Sequence, residues 1–559
     1  MKSKNKRSNF TKRTLNIALA SLLVAETIAL PYNVSANDSH SKMNIQAVSL
    51  SEESSVENND KLAELNSEEQ KDISTLELND AKTIKENEGA HAREIDKAIR
   101  GLNYDKNEIL SSNGESVESF VPREGIYNNG SFIVVERNKK SIFNSPVDIS
   151  VINSIVDRTY PGSLQLANRS LIENKPTSFT LPRKPINVSI DLPGLGSDNT
   201  ILVEKPTYGN VSAAIDTLIN RWSDRNSKTH TLPAQTQYSE TMVYSKAQLE
   251  TALNVNADLL EKSLGINFKA ISDGEKNVMV VAYKQIFYTV SAETPSRPSD
   301  LFDDSVTAEE LFEAGMNDSN PPLMVSNVSY GRTIYVKLET SSKSKDVEAA
   351  FKALIKKVNI EGNTKYQDIL KNSSFTAVVL GGDAKKHSEL VTKDFDQIRR
   401  IIKDNSEFSI TNPGYPISYT GSFLKDNSIA VVNKLTEYIE TTSTEFTGAK
   451  LNLDHKGGYV AQFAVTWNEV SYDDKGNEIL TLKEWEGNWK DRTAHFNTVI
   501  PIPANARNIK VLARESTGLA WEWWRNIVNE TNVPLSKDIN VSIWGTTLYP
   551  RTSVTFNNK

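Results

Sequence analysis

Cysteine is absent from all 559 residues. No disulfide framework is available, so an exported form of this chain must be held together by packing alone. Histidine is scarce: of six, the nearest two, His455 and His495, stand forty residues apart, which excludes an HExxH zinc pair. Neither a GxSxG elbow nor a Walker loop is present. Positive charge is not in excess, with 64 Lys and Arg against 71 Asp and Glu and a formal charge of -7, which gives no footing for nucleic acid. Beyond the N-terminal segment no run of about 18 apolar residues occurs, so no helix is expected to span a bilayer on its own. "LPGLGSD" (192–198) is a glycine turn without the rest of a dinucleotide fingerprint, and "LGGD" (380–383) reads as a strand end or bulge before it reads as a phosphate loop. Nothing in this inventory argues for catalysis, a cofactor or a metal.

What is present is organised by segment. Lys2, Lys4, Lys6, Arg7, Lys12 and Arg13 precede an apolar run from Leu15 to Ala25 and small residues ending at Ala36. That order describes a secretory signal peptide over 1–36, and Glu26 argues against a permanent anchor. Residues 37–92 hold 13 acids against 5 lysines. Such a stretch cannot bury enough apolar surface to offset its ordering entropy, so 37–93 is expected to be a disordered acidic arm. From there to about 446 helical and strand patterns mix; "YKQIFYTVSA" (283–292) and "SFTAVVLGGD" (374–383) read as buried strands. After about 448 short strands alternate with turns, the pattern of a β-sandwich, and seven of the eight tryptophans lie there.

Three of those tryptophans, Trp521, Trp523 and Trp524, fall within four positions of "RESTGLAWEWWRN" (514–526). A strand could bury Trp521 and Trp523 on one face, but Trp524 would then point the other way. Indoles on both faces point to an external contact: a sugar, a partner or a membrane interface. Indole suits the last because it joins an apolar body to a single N–H donor.

Two further stretches satisfy two periods at once. In "AQLETALNVNADL" (247–259) the odd positions are apolar or small and the even ones, Ala252 apart, polar, as in a half-buried strand. Yet its residues are good helix formers, and Leu249, Leu253, Leu260 and Leu264 can share a helical stripe. "KDVEAAFKALIKK" (345–357) repeats the ambiguity, with Val347, Ala349, Phe351, Ala353 and Ile355 against Asp346, Glu348, Lys352 and Lys356. Two amphipathic surface helices would account for either segment singly. The alternative is helix in water and strand in lipid, in which case the period along 247–259 should change from 3.6 to 2 on insertion. Regions 247–274 and 345–368 are each long enough for two membrane strands. Burying five to seven modest apolar side chains per hairpin would contribute on the order of 5–10 kcal/mol. An isolated hairpin leaves backbone groups unpaired in lipid at several kcal/mol apiece, so only a closed barrel built from many chains could stay inserted.

"ESTGLAWEWWR" (Glu515, Ser516, Thr517, Gly518, Leu519, Ala520, Trp521, Glu522, Trp523, Trp524, Arg525) resembles the tryptophan-rich undecapeptide of the cholesterol-dependent cytolysins, differing at one position. "YSKAQLETALNVNADLLEKSLGINF", "AYKQIFYTVSAETPSRPSDLFDDSVT", "PPLMVSNVSYGRTIYVKLET", "SFTAVVLGGDAKKH" and "SIWGTTLYP" are similar to that family as well, so the resemblance covers roughly 94 to 559. It implies a secreted monomer that binds membrane cholesterol, forms a large homo-oligomeric ring on the host cell membrane and refolds 247–274 and 345–368 into transmembrane hairpins. The family's sterol-recognising pair falls at Thr547 and Leu548, with neighbouring tip loops at Gly458 and Ala494. Tyr238 and Phe375 match an aromatic pair between subunits, Gly381 and Gly382 a diglycine where a strand edge is uncovered, and Glu240 and Lys393 an intersubunit charge pair. Taken singly, the aromatics read as core residues, Thr-Leu as a strand end, the small tip residues as turns and the two charges as ordinary surface groups. Ser516 stands where the family usually has cysteine, so alkylation and oxidation at that position are excluded.

The resemblance implies an α+β multidomain fold, elongated, with a twisted antiparallel sheet flanked by helical bundles and a C-terminal β-sandwich. The expected division is a core domain at 94–110, 147–235, 286–331 and 407–430, and a β linker at 111–146 and 431–447. A pore-forming domain takes 236–285 and 332–406, and the sandwich 448–559. No cofactor, metal or nucleic acid is expected. A secreted carbohydrate-binding or adhesion protein would also explain the indoles, but not the two dual-period segments. "WEWWR" carries no proline, which favours sterol alone as receptor.

Overall fold

The computed structural model describes residues 89–151, 156–226, 230–358, 362–381 and 390–557, all within the unit Leu78–Lys559. The signal peptide and nearly all of the acidic arm lie outside the described residues. Residues 89–101 are helical, so the last five residues assigned above to the arm belong to a helix instead. Ile95 and Ile99 are buried in it and Leu102 just beyond its end, an apolar stripe at near-helical spacing that the acidic composition upstream had masked.

The fold is organised on a sheet of long antiparallel strands: β1 (Gln235–Met242), β2 (Asn277–Ala292), β3 (Pro322–Thr340), β4 (Ser373–Gly381) and β5 (Leu390–Thr392), ordered β5-β4-β3-β2-β1. β2 and β3 run in register from Asn277 opposite Thr340 to Ser291 opposite Asn327, with one irregularity between Ile286 and Tyr288. Alternation sends Val278, Val280 and Ala282 to one face and Met279 and Val281 to the other. Both faces are apolar because both are covered.

One face is covered by α1 (Lys246–Leu253), α2 (Ala257–Leu264) and α3 (Phe268–Ser272). Each starts on a side-chain cap: Ser245 accepts from the Gln248 amide, Asn256 from Leu259 and Asn267 from Ala270. The first two end on left-handed residues, Asn254 at φ 50° and Gly265 at φ 59°. Leu249, Leu253, Leu260 and Leu264 all pack against the sheet. The other face carries α4 (Val347–Ile355), α5 (Thr364–Lys371) and α6 (Phe395–Lys403), which contribute Val347, Ala350, Phe351, Ile369, Phe395 and Ile398. Helices of five to nine residues are too short to persist without that packing.

One expectation needs correction. A continuous helix over 247–259 would bury residues at a period of 3.6, but Leu249, Thr251, Leu253, Val255 and Ala257 are all buried. The chain breaks at Asn254 and restarts at Ala257, and α1 is packed on more than one side and buries Gln248 as well, so burial along it does not follow a single helical stripe. α4 keeps the helical pattern, with Val347, Ala350 and Phe351 buried and Ala349 exposed.

The strands 131–144 and 433–447 pair along their whole length as an antiparallel ribbon. The C-terminal part is a sandwich of two four-stranded sheets. One contains β6 (Ala449–His455), β9 (Phe496–Ile502), β12 (Asp538–Thr546) and β13 (Tyr549–Asn557). The other contains β7 (Ala461–Tyr472), β8 (Glu478–Glu484), β10 (Ala506–Leu519) and β11 (Glu522–Val533). Leu451, Phe463, Val511 and Val541 are among the residues that fill the space between them.

Gly331 is where the long sheet tolerates least. A Cβ there would lie 1.9 Å from the Gln285 carbonyl oxygen, a main-chain atom that cannot swing away. Gly331→Ala is therefore expected to destabilise the chain by about 3 kcal/mol or to abolish soluble expression. A thermal melt within a degree or two of the wild type would contradict this packing.

Candidate functional site

The loops at one end of the sandwich converge through backbone hydrogen bonds. The Gly458 amide donates to the Gly545 carbonyl at 2.9 Å, Ser516 to Val460 at 2.8 Å, and His495 to His455 at 2.8 Å. These bonds join the hairpin of Thr547 and Leu548, the Gly458 loop, the 485–495 loop that holds Ala494, and the undecapeptide. Gly545 permits the tight turn: it sits at φ 95°, and a Cβ would approach the Tyr549 carbonyl oxygen to 2.4 Å. Gly458 and Ala494 are both exposed.

Apolar side chains crowd this end without cover. Trp521 is 82% exposed, Trp523 70%, Leu548 76% and Tyr549 76%. Trp524 is treated differently. The Arg514 guanidinium lies 4.7 Å from its ring centre and 4.5 Å from that of Trp489, while Arg514 Nε donates to Gln462 at 2.7 Å. Cation–π contact thus holds one indole against the body and leaves two free. Trp489 and Tyr549 went unnoticed in sequence: the first sits in a loop far from the tryptophan cluster, and the second reads as part of a strand.

Beneath the tip, Arg525 ties the undecapeptide to the sterol-loop candidate. Its Nη2 donates to Glu522 at 2.8 Å, its Nη1 to Glu515 at 3.3 Å, and Nη1 lies 3.5 Å from the Thr547 carbonyl oxygen. Glu515 is fully buried, and its Oε2 has no partner. Burial pushes its carboxyl above the usual glutamate range, with Arg525 opposing and Glu522 reinforcing. Thr517 closes the other side of the loop, its hydroxyl donating to the Glu522 carbonyl.

The matched pairs, Tyr238 with Phe375 and Glu240 with Lys393, are not brought together within the described residues of one chain. Tyr238 is on β1, 42% exposed, with its ring 5.4 Å from Tyr283 and its hydroxyl donating to Glu240. Phe375 is on β4, on the opposite side of the β2–β3 pair, buried and edge-on to Phe395 at 5.2 Å. Among the described residues β5 pairs with β4 at Phe375–Ala377. Gly381 ends β4 opposite Arg332, and Gly382 lies outside the described residues. Glu240 is 3.8 Å from Lys352 on α4, whereas Lys393 is exposed just after β5. Among the described residues no group of three or more His, Cys, Asp or Glu is placed to hold a metal, and no helix is long and apolar enough to cross a membrane, which says nothing of strands.

A β-sandwich with an exposed aromatic tip, joined in one chain to a two-faced sheet clad in short helices, is the architecture of a pore-forming toxin. The family model described as thiol-activated cytolysin matches residues 94–446, and that of the thiol-activated cytolysin β-sandwich domain matches 450–551. Perfringolysin O of Clostridium perfringens is 63% identical over 463 residues, 83% of this chain and 93% of the relative. Alveolysin of Paenibacillus alvei is 62% identical over 462 residues, covering 83% and 92%. Among solved structures, listeriolysin O superposes with a TM-score of 0.78 at 45% identity, over 84% of this chain and 97% of that one. This chain belongs to the thiol-activated, cholesterol-dependent cytolysin family.

The buried Glu515 makes the tip sensitive to pH. Its carboxyl is raised in the fold, so the unfolded chain ionises first; the stability it contributes is present below the ordinary glutamate value of 4.5 and is lost as pH rises through the folded value. Glu515→Gln should remove that slope, so its melting temperature should gain on the wild type's as pH is raised from about 4 to about 7. Parallel profiles for the two proteins would show that Glu515 is not buried against its charge.

Proposed function

We propose that this chain is a secreted cytolysin, not an enzyme, that docks on cholesterol in host membranes, assembles into a prepore ring and inserts a β-barrel. The observation that carries the reading is the joined tip, where Trp521, Trp523, Leu548 and Tyr549 stand exposed on loops cross-linked by hydrogen bonds. Side chains of this size contribute about 1.5–3 kcal/mol each when fully buried, enough to hold a protein at an interface. Indole and phenol also keep their polar ends among headgroups. Thr547 offers a hydroxyl beside the branched Leu548, complementary to a sterol's 3-hydroxyl and ring edge. Sterol alone serves as receptor in this reading.

The remaining assignments follow the domain division given above: 94–110, 147–235, 286–331 and 407–430 as core, 111–146 and 431–447 as linker, 236–285 and 332–406 as the pore-forming part, and 448–559 as the membrane-binding sandwich. Assembly brings β4 of one subunit against β1 of the next. This requires β5 to leave, with Gly381 and Gly382 as the bend. It also puts Phe375 within reach of a neighbour's Tyr238, and Lys393 within reach of its Glu240. The short capped helices then extend as hairpin strands, and a closed ring pairs every edge.

Dye-loaded liposomes test the whole sequence: release should require cholesterol, and cholesterol-independent release would sink the sterol step. Thr547→Gly with Leu548→Gly should lower liposome flotation at least tenfold while leaving the thermal melt unchanged; unaltered flotation would remove the pair from the sterol site.

Insertion is best read at two adjacent positions on α4, where the soluble fold and a strand make opposite demands. Ala349 is exposed and Ala350 buried in the helix, but in a strand Ala349 joins Phe351 on the lipid face and Ala350 turns to the aqueous lumen. An environment-sensitive dye on Ala349→Cys should move from water to lipid on leaking membranes, and one on Ala350→Cys from a dry site to water. Dyes that keep their soluble-state environments while membranes leak would refute strand formation here.

A further inference from the structure

Far along the chain from the sandwich tip, the segments 157–164 and 178–183 and the start of the helix Tyr208–Arg225 enclose a cavity of about 530 Å³, within the size range of small-ligand sites. Nothing in pore formation, as proposed above, uses it. Its apolar wall includes Tyr160, Phe179, Leu181 and Tyr208; the two tyrosine rings lie 6.0 Å apart at 57°, and the Tyr160 hydroxyl is fixed by donating to the Pro206 carbonyl at 3.1 Å.

The polar side of the cavity is cationic. Arg183 lines it, with Nε donating to the Leu301 carbonyl at 2.9 Å and Nη1 to the Gly162 carbonyl at 3.1 Å, while Nη2 is buried without a partner. Burial lowers its pKa to about 10, which leaves it charged at neutral pH, and its one electrostatic neighbour is the neutral Tyr160. A half-buried guanidinium whose electrostatic neighbour is a neutral phenol lacks a counter-charge, and an anion in the cavity would supply one. Two more features at the mouth favour the same sign. Lys205 is exposed there, and the 18-residue helix begins at Tyr208 on its Thr207 cap, where the first amides precede any intrahelical partner. Two acids also line the rim, Asp157 and Asp303, the latter held ionised by the Ser305 hydroxyl at 2.7 Å and amide at 3.0 Å; they stand against the cations Arg158, Arg183 and Lys205, so the lining keeps a positive excess.

We propose that this cavity binds a small anion with a flat apolar body, an aromatic carboxylate or aromatic phosphomonoester, whose charged head faces Arg183 and the helix start and whose ring lies against Tyr160 and Tyr208. Binding is a property of the soluble chain and needs no membrane.

Calorimetric titration of the full chain with benzoate and with phenyl phosphate tests it, with inorganic phosphate and phenol as controls. At least one aromatic anion should saturate with a dissociation constant below about 1 mM, and both controls should bind more weakly. Lys205→Gln should weaken that binding about threefold and Tyr208→Ala about fivefold. Both positions are exposed, so folding is not at risk. Arg183→Gln, if it folds, should abolish binding. No saturation by either aromatic anion, equal binding of inorganic phosphate or phenol, or Lys205→Gln and Tyr208→Ala variants that bind like the wild type would each overturn the proposal.

Discussion

The antiparallel pairing of β2 with β3 is the contact on which the rest of the molecule depends. It joins 277–291 to 327–340 in nearly continuous register and presents an apolar surface on both sides. A sheet apolar on both faces must be covered twice, and the two layers of short helices do that. Two charged groups inside it are satisfied locally: Lys337 donates to the Gly265 carbonyl at 3.0 Å and to Glu339 at 3.1 Å, and Arg332 reaches Gln285 and the Ile401 and Ile402 carbonyls. Lys337 thereby tethers the end of α2 to the sheet, so the helical layer is held by a polar contact as well as by leucines.

The helices are built for conditional stability. α1 and α2 have eight residues each, with side-chain caps at one end and left-handed residues at the other. Caps fix where such helices begin and end, but at this length persistence depends on tertiary packing. Removing the sheet contact removes the reason for the helix, and the same residues then carry a strand's alternation. Leu249, Thr251, Leu253, Val255 and Ala257 are all buried while the backbone is mostly helical or turn, because α1 is packed on more than one side.

The tip separates rigidity from exposure. Arg514 grips Trp489 and Trp524, Arg525 bridges two acids and approaches the Thr547 carbonyl, and hydrogen bonds cross from loop to loop. Trp521, Trp523 and Leu548 are then presented on a braced platform. An unbraced loop would lose more conformational entropy on binding, so in the docking proposed above the buried polar contacts below the tip would support an apolar contact above it.

Several features were legible from residues alone. The sandwich followed from alternation and turn spacing, the exposure of Trp521 and Trp523 from three tryptophans within four positions, and the ambiguity of 247–259 and 345–357 from their two periods, because periodicity is a local property. Family membership was carried by "ESTGLAWEWWR" and its companion stretches. Other features needed the folded chain. The helix over 89–101, the chain break at Asn254, the division of indoles between held and free, the burial of Glu515 beside Arg525 and the uncompensated charge of Arg183 all depend on which distant segments meet. Composition and period specify what a stretch prefers for itself; burial, charge compensation and the covering of a strand edge are set by neighbours far away in sequence, and those only the tertiary structure supplies.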